Sequence, residues 1–336
     1  MLALCLQQAL NLENLGVNLK LMFSKIVVSG SIAIDRIMHF PGKYREIVEP
    51  DKLEVFSISV LLDEIKESRG GTGANIAYNM ALIGDSPVLL GSVGRDARGY
   101  IDDLKSSGVV MDRVYFSHLP TASFNVINDS EDNQVGGFYP GAMADSSSLS
   151  LDEYNGQDVL IVVSAHDPAA MKKQVRQCKG NNLRLVYDVS QQLATIGKED
   201  LLEGIAVSEV MIVNEYEMTL LSSKSGFSEG ELAKKVPILI STHGRNGSII
   251  GGNKVGKKIK VGIAKPDAVK DPTGAGDGYR AGFLYGHARG WELEKCGQLG
   301  ATTASFVVER YGSQVKYSKP QITNRYKENF GKEIEL

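Results

Sequence analysis

Asp271-Pro272-Thr273-Gly274-Ala275-Gly276-Asp277 runs straight into Gly278-Tyr279-Arg280-Ala281-Gly282-Phe283, and this stretch governs how the rest of the chain is read. Small residues lie between two carboxylates, and an apolar, helix-compatible run follows at once. Pro272 keeps the approach out of a strand or helix interior, while Gly274 and Gly276 open backbone angles closed to other residues. The main-chain N–H groups of such a turn, at the start of a helix, form an anion site through unpaired donors and the helix dipole. Asp277 then stands beside that site. Like charge makes it a poor holder of phosphate, but it is suited to accept a proton from an alcohol attacking a phosphoryl group lodged there. A Gly-rich helix cap with a surface carboxylate is the alternative reading of the same letters.

Outward from the turn, strands and helices alternate. Phe23–Ile32 is β-branched and ends on small residues, as a first buried strand does. Pro87–Gly94 is the next strand and Asp96–Ser107 a helix closed by Gly108. After Pro140-Gly141 come a strand at Asp158–Val163, a helix at Pro168–Lys179, and strands at Leu183–Asp188 and Val210–Val213. A strand, glycine turn and strand follow over Pro237–Ile250, then a helix at Gly297–Val308 and a charged tail. The pattern predicts an α/β fold: a doubly wound, mostly parallel sheet flanked by helices, with ligands at the carboxyl ends of its strands. Two charged or alternating segments, 37–66 and 113–138, are expected to form a small β-sheet lid, with Leu53–Val60 pairing to the strands of 114–138.

Several residues fall where those strand ends would gather. Asp35 stands a few residues past the first strand, either in the crevice or on a solvated loop. In Arg69-Gly70-Gly71-Thr72-Gly73-Ala74-Asn75 the glycines permit close approach of a hydroxyl-rich ligand, or of a packed strand, and Asn75 offers a donor and an acceptor. Gln191 and Gln192 follow a strand and can read the edge of a purine, or be an ordinary polar loop. Asn214-x-x-Glu217 fits a water-clad Mg²⁺ held with nucleotide phosphates, and equally a helix N-cap with its capping-box glutamate. Thr242, Gly244 and Gly247 sit in a strand-turn-strand that can meet ATP or simply form a hairpin. Phe124 and Phe138 can stack on a base or pack the lid.

With 37 Lys and Arg against 40 Asp and Glu in 336 residues, nothing in the charge balance points to nucleic acid or a membrane surface. The cysteines Cys5, Cys178 and Cys296 are odd in number and far apart, which argues against a disulfide framework or zinc site; a reducing cytoplasm is the simplest setting. Residues 1–22 lack the basic region and cleavage site of a signal peptide, and their longest uncharged run is too short to span a bilayer. They are expected to lie outside the fold, with Met22 as the natural start; a short amphipathic helix is the alternative.

Asp35, Gly70–Asn75, Asn214-x-x-Glu217, Thr242-x-Gly244 with Gly247, and Asp271–Asp277 occur in the order of the ribokinase-like (PfkB) carbohydrate and nucleoside kinases, which this chain resembles from Phe23 to about Phe330. Within that family it looks most like the mycobacterial-type adenosine kinases, through Gly30–Ala33, Phe40–Gly42, Phe138–Met143, Ser190–Leu193 and Arg280–Leu284. The resemblance implies ATP-dependent phosphorylation of a nucleoside 5′-hydroxyl, adenosine first. Asp35, Gly71 and Asn75 would hold the ribose, with Ser31, Gln191 and Gln192 near the nucleoside, Phe138 flanking the base and Phe124 reaching in from a partner's lid. Asn214, Thr242, Gly244, Gly247 and Asp271 would meet ATP, and Asn214 with Glu217 would organise Mg²⁺ through water. Gly274-Ala275-Gly276 would be the anion hole and Asp277 the base, with K⁺ beside the turn and a homodimer formed through the lids. Gly278 and His243 depart from the family's usual residues. A kinase of a free sugar or another nucleoside, and a non-catalytic nucleoside-binding protein, are the competing readings. A Rossmann dehydrogenase fails because the Gly-rich turn lies near the end of the chain, not after its first strand.

Overall fold

Buried β-branched runs set the centre of the molecule, and the computed structural model describes them within residues 22–48 and 57–336. The chain runs β1 (Lys25–Ser29), β2 (Ala33–His39), α1 (Tyr44–Ile47), β3 (Glu64–Gly70), α2 (Thr72–Ile83), β4 (Val88–Gly94), α3 (Arg98–Ser106) and β5 (Val110–Ser117). Next come β6 (Ala122–Asn128), β7 (Gln134–Tyr139), β8 (Val159–Val163), α4 (Pro168–Gly180), β9 (Arg184–Tyr187), α5 (Lys198–Val207) and β10 (Val210–Asn214). The last part is α6 (Glu215–Ser225), α7 (Glu229–Lys235), β11 (Ile238–Thr242), β12 (Ser248–Gly251), β13 (Ile259–Val261), α8 (Ala275–Ala288), α9 (Leu293–Val307) and α10 (Lys319–Phe330).

Nine strands form one sheet in the order β13-β12-β11-β10-β9-β8-β1-β4-β5. Every pairing from β11 to β5 is parallel, and the β11–β12 and β12–β13 pairings are antiparallel. Alternation along the strands divides the core in two. Ile26, Val28, Leu160, Val162 and Ile212 face α2, α8, α9 and α10, whereas Val27, Ile161, Val163, Met211 and Val213 face α4 to α7. This is the doubly wound architecture expected. β1 lies between β8 and β4, so the chain leaves it in one direction and later returns on its other side, and the crevice opens at that reversal.

A second sheet, β3-β2-β6-β7, forms the small lid. Its boundaries differ from those expected. β2 begins at Ala33, directly after the turn that ends β1, and its partner is Glu64–Gly70. Ser57–Val60 carries no strand, and Leu53–Phe56 lies outside the described residues. Val110–Ser117 is no part of the lid: it follows the α3 crossover and pairs parallel with β4 at the edge of the large sheet. The expectation for the first segment falls on residues 1–21, outside the described residues; Met22 itself donates its N–H to Ala288 O at 2.9 Å. The end expected as a charged tail contains α10, anchored by buried Ile322 and Tyr326. Among the described residues no helix is long and apolar enough to cross a membrane. Cys178 and Cys296 are buried and free.

Candidate active site

The turn before α8 is built by its own sequence. Asp271 accepts from Thr273 N through Oδ1 at 2.9 Å and from Gly312 N through Oδ2 at 3.1 Å, so its carboxylate shapes the loop. Gly274 follows at φ 79°, in the left-handed region, and a Cβ there would lie 2.5 Å from Ser313 Cβ. α8 starts at the next residue. Ala275 N is already spent on Pro272 O at 3.1 Å, whereas the N–H groups of Gly274, Gly276 and Asp277 donate to no acceptor among the described residues. The donors available to an anion are therefore those three, and Ala275 contributes a bend instead of a donor.

Asp277 is 7 % exposed and faces the crevice in the first turn of α8. Its Oδ2 accepts from Asn75 Nδ2 at 2.9 Å, and its Oδ1 lies 4.0 Å from Arg280 Nη1. Burial pushes its pKa up to about 7, Asp188 and Glu217 adding to the rise while Arg280 and the Asn75 amide oppose it. A carboxylate half-ionised near neutrality is poised to take a proton from an alcohol. Asn75 is held in turn: its Oδ1 accepts from Gln314 Nε2 at 3.2 Å and its main-chain O from Asn79 Nδ2 at 2.8 Å.

One side of the crevice rises from the ends of β1 and β2. Ser31 Oγ accepts from Thr72 N at 3.0 Å, capping α2, and Gly71 precedes that helix at φ 92°. Asp35 lies over Gly70, where a Cβ would collide with its carboxylate. Burial, then the nearby charge of Asp271, raises Asp35 to about 6. One row of the lid joins Asp35 on β2 to Phe124 on β6 and Phe138 on β7, so all three project from the same face. Both rings are exposed, Phe124 at 38 % and Phe138 at 50 %. Gln191 is exposed and Gln192 half-buried in a helical turn after β9, where the Gln192 side-chain oxygen accepts from the Thr195 hydroxyl.

On the other side of the turn a cavity of about 360 Å³ is lined by Thr242, Gly244 and Gly247 from the β11–β12 connection, with Ile263, Val269 and Ala304 among its apolar walls. It reaches Pro272, Ala275 and Gly276, so an apolar slot and the anion site are continuous. A planar base fits such walls, with its phosphates directed to the helix end. His243 lies just outside, paired through Nδ1 with Glu215 Oε1 at 3.0 Å. Asn214 and Glu217 form a reciprocal capping box on α6: Glu217 N donates to Asn214 Oδ1 at 2.8 Å and Asn214 N to Glu217 Oε2 at 2.9 Å. Ser190, at φ 46°, donates its hydroxyl to Glu217 Oε1 at 3.2 Å.

Sequence reasoning missed three contributors. Gln314 is 239 residues from Asn75 and carries no local signal. The walls Ile263, Val269 and Ala304 read as ordinary packing. Arg280 did leave a trace, as a lone cation in an apolar helix run; the structure places it 5 % exposed, 2.7 Å from Asp188 Oδ1 and 3.6 Å from Glu217 Oε2.

The chain is 33 % identical over 293 residues to a nucleoside kinase of Methanocaldococcus jannaschii, covering 86 % of this chain and 92 % of that one. The solved structure of the Methanocaldococcus jannaschii nucleoside kinase superposes with a TM-score of 0.80 at 31 % identity, over 90 % of this chain and 98 % of that one. A Burkholderia thailandensis nucleoside kinase in complex with inosine gives a TM-score of 0.82 at 27 % identity, over 92 % of this chain and 100 % of its own. The family model for pfkB family carbohydrate kinases matches residues 25–320. A phosphotransferase acting on an alcohol is what the site's chemistry calls for, and the chain belongs to the pfkB family of carbohydrate kinases.

Proposed function

We propose that this kinase transfers the γ-phosphoryl group of ATP to the 5′-hydroxyl of a nucleoside, adenosine first. One observation carries the reading: the buried Asp277 carboxylate stands between the open N–H groups of the α8 turn and the Asp35–Asn75 side of the crevice. An alcohol placed there meets a base on one side and an in-line phosphoryl group on the other. Asp35 and Asn75 would take the sugar hydroxyls, Phe124 and Phe138 the base, and the slot at Ile263 and Ala304 the adenine of ATP. The nucleoside kinases among its relatives, one seen with inosine and with ADP-inosine, support a nucleoside acceptor and an adenine nucleotide donor. Adenosine rests on the sequence resemblance alone, and inosine is the second reading, favoured by that complex.

Among the described residues no three His, Cys, Asp or Glu side chains converge into a metal cage. Mg²⁺ would therefore be held mainly by phosphates and water, with Glu217 and Asn214 at its outer edge, where it would screen phosphate charge. K⁺ beside the Asp271–Gly274 loop rests on the resemblance alone. Homodimerisation through the lid is supported by an apolar cross-strand row, Ile65-Met38-Ile127-Val135, on the face opposite Asp35; Ile65 is 63 % and Val135 61 % exposed.

A panel of adenosine, guanosine, inosine, cytidine, ribose and fructose 6-phosphate, with ATP and Mg²⁺, tests the acceptor. Phosphorylation of the sugars alone would remove the nucleoside reading. Asp277→Asn is expected to keep nucleoside binding and to lose turnover by about 10²–10⁴-fold; undiminished turnover in that variant rules out the base.

A further inference from the structure

A buried arginine, Arg280, lies beneath the anion-binding turn, and the spacing of the site motifs gives it no task. Side chains on a helix tilt toward its N-terminus, so Arg280 folds back over the residue four positions earlier, Gly276. A Cβ on Gly276 would lie 2.6 Å from Arg280 Nη1, so that glycine leaves room for the guanidinium under the turn. The location is adverse on two counts. Helix N-termini are the positive end of the dipole, and burying a cation costs solvation. Two carboxylates from other elements hold it there: Asp188 at the end of β9, with Oδ1 2.7 Å from Nη2, and Glu217 on α6, with Oε2 3.6 Å from Nη2. Nη2 also donates to Ile212 O at 3.2 Å.

The remaining donors are not consumed. Arg280 Nε is buried without a partner, and Nη1, 4.0 Å from Asp277 Oδ1, donates to no acceptor among the described residues. A guanidinium held only for packing would have its donors satisfied more fully. Nη1, beside both Gly276 and the Asp277 carboxylate, places positive charge where negative charge would collect during transfer.

We propose that Arg280 is a positioning residue for phosphoryl transfer, its guanidinium holding the Asp277 carboxylate in line and reinforcing the anion-binding turn from below. The inference rests on the reading of Asp277 as the base and of the turn as the phosphoryl site. The test compares Arg280→Met, Arg280→Lys and the double variant Arg280→Met with Asp188→Asn, which removes the cation together with its nearest carboxylate and so guards against a folding defect. The full chain is assayed with whichever acceptor the unmodified protein phosphorylates fastest, and acceptor affinity is measured separately by calorimetry without nucleotide. Expected are a kcat loss of about 10²–10³-fold in the single and the double Met variants, an acceptor Kd within about threefold of the parent, and recovery of at least about tenfold by lysine. Near-parental kcat in the double variant would mean that Arg280 merely neutralises Asp188, and overturns the proposal. So does a lysine variant no better than methionine, or a loss confined to KM. Asp277→Asn run in parallel separates the two readings: if it stays active while Arg280→Met fails, the base assignment falls and only the action of Arg280 on the turn stands.

Discussion

Replacing Asn75 by leucine should move the acid limb of the pH–rate profile, and the structure sets by how much. Asn75 Nδ2 donates to Asp277 Oδ2 at 2.9 Å, between side chains 4 % and 7 % exposed. A hydrogen bond to a charged group at a dry site is worth about 1.5–3 kcal/mol, and one pKa unit corresponds to about 1.4 kcal/mol. The bond favours the ionised carboxylate, so its loss raises Asp277 from about 7 by a further one to two units, roughly. Asp277 as the proposed base would work only when ionised, so kcat/KM is expected to fall as pH drops through its pKa. At pH 7 the ionised fraction would shrink by about 5- to 50-fold, and by pH 9 most of that part of the loss would return. Leucine also removes any contact with the acceptor, but that loss is independent of pH. The assay is initial-rate kcat/KM for the acceptor from about pH 5.5 to 9.5, with circular dichroism to confirm folding. An acid limb that stays within about 0.3 unit of the parent's, in a folded variant, would refute the coupling between Asn75 and Asp277.

Two further perturbations reach other parts of the molecule. Ala301→Phe introduces a ring into the slot beside Ala304 and Val308 and should raise the KM for ATP by at least about tenfold, leaving acceptor affinity intact; an unchanged KM would show that the donor's base sits elsewhere. Ile65→Lys inserts a charge into the lid's apolar row and should turn the dimer proposed above into a monomer in sedimentation velocity; a parent chain that is itself monomeric overturns that proposal.

The large sheet was legible because strands covered on both faces read as unbroken apolar runs, Val159–Val163 being the plainest. The lid was harder. β2 leaves β1 after only a short turn, so its beginning at Ala33 merges with the first strand's ending, and Val110–Ser117 is half-buried at a sheet edge, which gives it the mixed pattern of a lid strand. Within the site, Gly71 and Gly274 were legible because positive φ and close approach restrict residue type, and Asn75 and Asp277 because they follow those glycine turns at the start of a helix. Residues that act by long-range convergence were not. Gln314 meets Asn75 only through the loop before α10, and Val269 differs in no local feature from any exposed valine. The Asn214–Glu217 motif illustrates the opposite difficulty: its letters satisfy a helix cap completely, and the two residues form that cap.

The close contact between β1 and α2 has a consequence for anyone who would redesign this catalyst. A methyl group on Gly30 would come within 2.6 Å of Gly73 Cα, so the two main chains touch with no side chain between them. That junction cannot be hollowed by trimming or narrowed by filling, because there is nothing to trim and no room to fill. Libraries aimed at new acceptors should leave this contact untouched and vary the side chains proposed to meet the acceptor, Phe124, Phe138 and Gln192.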